Sequence, residues 1–230
     1  MPWDIWLIFF VLGVVVPWRG RGRLRELLAK PRVESRERLS LYISTIVFQW
    51  LAAMVAGWRS WAHGFTKADL AWQAHPLTQI IAVAVAGAGA LAALQWLNLR
   101  RVSRLPATSR GRLQALAERI LPRSPVERLY FFALAFTAGI CEEFLYRGFA
   151  MAAFTRVGMP KWFVLLASAG LFGLAHLYQG KGGFVSTTLL GLLFGFGRFT
   201  FQSLAPMVAW HAAIDLVAGI AGPRYLVRED

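Results

Sequence analysis

The stretch that decides the fold runs from Leu129 to Arg147 and reads LYFFALAFTAGICEEFLYR. Residues 129–141 carry no charge; then Glu142, Glu143 and Arg147 arrive within six positions. A run this apolar reads as a helix that crosses a bilayer, because a backbone in lipid must satisfy its own hydrogen bonds. Charged groups in such a helix are costly and mark function by default. The rest of the 230-residue chain agrees: 57% of it is hydrophobic, 16% is charged, and the mean hydropathy is +0.49. A soluble domain is about 45–50% apolar and about 25% charged. Seventeen Phe and ten Trp exclude intrinsic disorder.

Six more apolar segments have membrane-spanning character: residues 3–17, 40–58, 77–99, 161–178, 184–201 and 204–221. With 129–151 they make about seven spans. The alternating pattern of a membrane barrel is absent. The expected fold is all-α, a polytopic transmembrane helical bundle with no β-sheet. Residues 1–127 form the N-terminal membrane helices, 128–222 a core with the chemistry-bearing groups, and 223–230 a tail.

The net charge of +13 comes mainly from two belts. Residues 18–38 and 100–128 hold eight Arg/Lys each. Lys181, Arg224 and Arg228 fall on the same side if seven spans hold, which leaves only Arg59, Lys67, Arg147, Arg156, Lys161 and Arg198 elsewhere. The positive-inside rule then places the belts in the cytoplasm, the N-terminus outside and the C-terminus inside, in a multi-pass protein of the cell's inner (plasma) membrane. Asp4 before the first apolar run and arginines after it invert the order of a secretory signal, so that run reads as a retained span. Residues 19–39 read as a basic helix on the anionic inner leaflet. Residues 100–127 contain Pro106, Pro122 and Pro125 and are expected to be partly irregular. Both belts flank spans, as topology determinants do, so no nucleic-acid partner is expected. The single cysteine, Cys141, forms no intramolecular disulfide and no thiolate cluster. Gly191 and Gly195 have the small-residue spacing that lets helices approach closely.

Three clusters of polar groups interrupt the core spans. Glu143 and Arg147 are four apart and share a helix face, so they can pair. Glu142 is turned about 100° away and points elsewhere, fit for a general base. His176 ends the apolar run that starts at Trp162. His211 and Asp215 are again four apart, so the carboxylate can orient the imidazole. Glu142, His176 and His211 together offer a base and polarising partners in a water-excluding site. No HExxH occurs, so a zincin of soluble type is not indicated. Counted along straight helices, Glu142 and His211 lie well above the inner end of their spans and His176 near it, so convergence needs span boundaries shifted by a turn or more, or helices that are tilted or broken.

Glu142-Glu143-xxx-Arg147, Phe172-xxx-His176 and His211-xxx-Asp215, in that order on separate spans, resemble the motif set of the CPBP intramembrane proteases. That family includes the CAAX prenyl endopeptidases and bacterial bacteriocin-processing, abortive-infection-like and self-immunity proteins. The resemblance covers about residues 128–220. It implies a helical endopeptidase that acts on a membrane-associated peptide or protein, with Glu142 and His176 activating water. His211 and Asp215 would hold the oxyanion, and Glu143 and Arg147 would support them. The family is labelled a metalloprotease class, which implies zinc on Glu142, His176 and His211; a metal-free glutamate mechanism uses the same residues. Asp215 departs from the prenyl-endopeptidase branch, which has Asn there. Asn can donate to an oxyanion and ionised Asp cannot. Asp suits a metal ligand or a partner for a charged His211. The alternative reading is a non-proteolytic scaffold or immunity factor on the same fold. A proton-coupled transporter is disfavoured, since paired repeats of broken helices are absent.

Overall fold

The computed structural model describes residues 1–72 and 76–227, and of residues 107–109 and 112 only the backbone. His75 and Arg228 lie outside the described residues. Among the described residues eight helices follow in order: α1 (Trp3–Ala29), α2 (Ser35–Ala62), α3 (Leu77–Ser103), α4 (Ala107–Ile120), α5 (Pro125–Arg156), α6 (Lys161–Ala175), α7 (Lys181–Phe201) and α8 (Ala205–Leu226). Six of them, all but α4 and α6, are long and apolar enough to cross a membrane. Among the described residues there is no strand, only an isolated bridge between Trp72 and Ser203. The fold is an all-α polytopic bundle.

Two expected boundaries differ. The first span does not stop at residue 17 to release a separate surface helix. Pro17 has no N–H for the carbonyl four residues back, and the helix absorbs this by widening into a π segment at Val11–Val15. It then continues through the arginines to Ala29. It ends where Pro31 forces Lys30 to extended geometry (ψ 137°). The second basic segment is also more regular than expected. Its prolines fall at helix ends: Pro106 precedes the first turn of α4, Leu121 goes extended (ψ 146°) before Pro122, and Pro125 opens α5. The two segments touch. Arg119 of α4 donates from Nε to Leu27 O at 3.0 Å and from Nη2 to Lys30 O at 3.2 Å, satisfying carbonyls at the end of α1.

α2 is tied to the start of α5 by a buried pair. Arg38 donates to both oxygens of Glu127, at 2.9 and 3.0 Å, and to Val33 O at 2.6 Å. Ser124 caps α5 by accepting from Glu127 N at 3.2 Å, with Pro125 at the first helical position. At the opposite end Arg198 donates to Asp69 O at 2.6 Å, and Leu204 N to Ala71 O at 3.0 Å, so residues 64–72 fold in against the start of α8. α3 packs on α8, where Trp210 Nε1 donates to Val83 O at 3.1 Å.

α6 and α7 form a close hairpin. A Cβ on Gly191 would lie 2.9 Å from Ala169 Cα, and one on Gly195 would lie 2.6 Å from Leu165 Cδ1. Both glycines therefore serve contact within the chain. α6 has only 15 residues. At 1.5 Å per residue that is about 22 Å, short of a hydrocarbon core of about 30 Å. Its C-terminal end therefore stops at depth, and a tight turn through Leu177–Gln179 and Gly180 (φ 90°) starts α7. That short helix brings His176 to the level of Glu142.

Candidate active site

Each motif reaches the centre from a different helix. Glu142 and Glu143 close the regular part of α5. Immediately after them the helix widens into a second π segment, Phe144–Ala150, which carries Arg147. Such segments occur often at functional sites because they re-aim side chains. Here the loosened turn is braced from α6: Ser168 Oγ donates to Tyr146 O at 2.8 Å. His176 comes from the end of α6, and His211 and Asp215 from the first half of α8.

The deepest layer is Arg147, Glu143 and His211. Arg147 and Glu143 are both fully buried, with Arg147 Nη1 donating to Glu143 Oε1 at 2.9 Å. The guanidinium lies 4.2 Å from the centre of the Phe172 ring and 5.4 Å from that of Phe194. These ring faces offset part of the cost of burying the cation. The same Glu143 oxygen lies 2.8 Å from His211 Nδ1. A carboxylate opposite Nδ1 places the proton there and turns Nε2 to the other side.

His176 is set the same way by a different partner. Its Nδ1 lies 2.8 Å from Phe172 O, and a carbonyl can only accept, so Nδ1 donates. Its Nε2 then faces inward. The two Nε2 atoms flank one carboxylate oxygen: Glu142 Oε2 lies 3.9 Å from His176 Nε2 and 4.0 Å from His211 Nε2. Asp215 Oδ2 stands 3.6 Å from His211 Nε2. Exposure rises outward, from zero at Glu143 through 17% for the Glu142 side chain to 35% for Asp215. The site is a graded shaft from a dry ion pair to an open acid.

The other Glu142 oxygen is held from outside the three motifs. Gln49 of α2 donates from Nε2 to Glu142 Oε1 at 2.6 Å. Gln49 is neutral, so it is not among the ionisable groups that mark the apolar spans. The available signal was a glutamine inside the 40–58 span.

The donor set is of a kind zinc accepts, two imidazole nitrogens and a carboxylate oxygen. Its spacing is another matter. Ligands about 2.0–2.1 Å from a tetrahedral ion stand about 3.3 Å apart. Here the nitrogen–oxygen gaps are 3.9 and 4.0 Å. Among the described residues no group of three His, Cys, Asp or Glu is arranged to hold a metal ion. A water with hydrogen bonds of about 2.8 Å fits such gaps at an angle of about 90°.

Comparison with known families bears on these residues. Residues 124–217 match the family model described as type II CAAX prenyl endopeptidase Rce1-like. This segment belongs to that family. The Rce1-like segment contains Glu142, Glu143, Arg147, His176, His211 and Asp215, and the family is one of proteases. α1 to α4, Gln49 included, lie outside the match. No curated protein and no solved structure matches the chain.

Proposed function

We propose that the protein is an intramembrane endopeptidase that hydrolyses peptide bonds of a membrane-associated peptide or protein. The observation that carries this reading is the approach of two imidazole Nε2 atoms to Glu142 Oε2, within a Rce1-like segment. A water in that gap gives one proton to Glu142 Oε2, and His176 Nε2 accepts a hydrogen bond from the other. The water oxygen bonds to the substrate carbonyl carbon, and the carbonyl oxygen becomes an oxyanion. His211, held on Nδ1 by Glu143, donates to the oxyanion from a proton on Nε2, and Asp215 balances that charge. Glu142 then passes its proton to the amide nitrogen, the C–N bond breaks, and an acid and an amine leave. Arg147 holds Glu143 in place through the bond from Nη1 to Oε1.

The spacing favours the metal-free form of this chemistry. Zinc held by Glu142, His176 and His211 would polarise the carbonyl and the water, and it requires these groups to draw closer. The basic segments 18–38 and 100–128 support a cytoplasmic location for that end of the bundle, in the cell's plasma membrane, against anionic lipid. The N-terminus is then outside and the C-terminus inside.

The test is cleavage by purified protein in proteoliposomes containing a degenerate mixture of membrane-inserting peptides, with and without a prenyl chain. Fragments are read by mass spectrometry. Wild-type protein cuts and His176→Ala does not, while both unfold at similar temperature. Equal cleavage by His176→Ala would overturn the assignment.

A further inference from the structure

Gln49 stands out among the residues of α2. Its neighbours Val47, Trp50 and Leu51 are exposed on the outside of the helix, where lipid would lie, but Gln49 is 8% exposed and turned into the bundle. An amide in an apolar span is costly unless it finds partners. Its Nε2 has one, Glu142 Oε1 at 2.6 Å, across 93 residues of sequence. Its Oε1 is buried with no hydrogen-bond partner among the described residues. A group placed only to hold two helices together would satisfy both ends of the amide. This one satisfies only the end that meets Glu142.

The amide has one workable orientation there. Turned over, it would set its carbonyl oxygen against a carboxylate oxygen, two acceptors in contact. With Nε2 donating, one Glu142 oxygen is fixed, and the plane of the carboxyl group is fixed with it. Among the described residues the second oxygen, Oε2, has no hydrogen-bond partner, and it stands between His176 Nε2 and His211 Nε2. The two oxygens thus have separate duties, one anchored and one presented.

We propose that Gln49 is the positioning residue that anchors Glu142 by Oε1 so that Oε2 faces the two imidazoles. The inference rests on the endopeptidase reading for its effect on rate, and on geometry alone for the anchoring. It makes α2, which lies outside the Rce1-like segment, a working part of the site. A carboxylate released from this bond can rotate about its own chain, and displacement of a reacting group by about 1 Å costs up to about 100-fold in rate.

The experiment uses purified full-length protein and two readouts. The first is infrared difference spectroscopy, with the Glu142-dependent carboxyl band isolated by subtracting Glu142→Gln protein from its parent. That band should move when Gln49→Leu is the parent, because one oxygen has lost its donor. The second is cleavage of the peptide mixture, where Gln49→Leu should lower kcat about 10- to 100-fold with KM nearly unchanged. Gln49→Met, unbranched and of similar length, replaces Leu if the first variant does not fold. A band that stays in place overturns the anchoring, and kcat within twofold of wild type overturns its role in the reaction. If wild-type protein cuts no peptide, the endopeptidase reading fails by itself, and the band still decides whether Gln49 anchors Glu142.

Discussion

Breaking the Glu143–Arg147 pair with Arg147→Met should show how the deepest layer of the site is held together. Both side chains are fully buried, so neither charge can turn to water when its partner is removed. Removing one member of a buried pair costs about 3–5 kcal/mol, mostly from the charge left behind. Glu143 keeps His211 Nδ1 at 2.8 Å, so the loss should lie at the lower end, about 3 kcal/mol. Glu143→Gln strands the arginine instead. Arg147 Nε and Nη2 have no hydrogen-bond partner among the described residues, and only the Phe172 and Phe194 faces remain to it. That variant should lose at least as much. The double variant, Arg147→Met with Glu143→Gln, carries no stranded charge. It should fall short of the sum of the two by about 1–3 kcal/mol. The assay is equilibrium unfolding in mixed micelles, with all four proteins compared under one condition. Additivity within about 0.5 kcal/mol would refute the reasoning, since it would mean the two groups do not depend on each other.

The α6–α7 contact predicts a contrast between two glycines. Gly191→Ala puts a methyl 2.9 Å from Ala169 Cα and should cost about 1–3 kcal/mol by thermal or denaturant unfolding. Gly170→Ala, with nothing within 4 Å of the new methyl, should be neutral or stabilise by up to about 1 kcal/mol. The spacing of Glu142, His176 and His211 predicts that protein stripped by a strong chelator keeps its cleavage rate, with metal content read by mass spectrometry. Loss of cleavage that zinc alone restores would show instead that the site closes around an ion.

Contacts within one helical turn were legible in the sequence. Glu143 and Arg147, four apart, do pair, even though the helix widens around the arginine. Six of the seven expected spans were legible because lipid imposes a composition on each helix separately; the exception is 161–178, whose helix is too short to cross. What escaped was information held between helices or at helix ends. The expected span 161–178 runs past His176, so composition could not show that the helix stops at Ala175 and lifts His176 to Glu142. Pro17 looked like a boundary, but a π segment carried the helix through it. α4 lay hidden in a basic segment whose prolines turned out to bound a helix. Gln49 was visible as a polar residue in an apolar span, but its role was not, because it depends on a carboxylate 93 positions away.

The most direct test of the account is the initial rate of peptide cleavage by Glu142→Gln protein, measured beside wild type in the same proteoliposomes. The substitution keeps the size of the side chain and removes the base. The account predicts a loss of about 100- to 10,000-fold with an unchanged unfolding midpoint. Cleavage at the wild-type rate would contradict it, because the account gives the proton from water to Glu142 Oε2, the carboxylate oxygen that faces both His176 Nε2 and His211 Nε2.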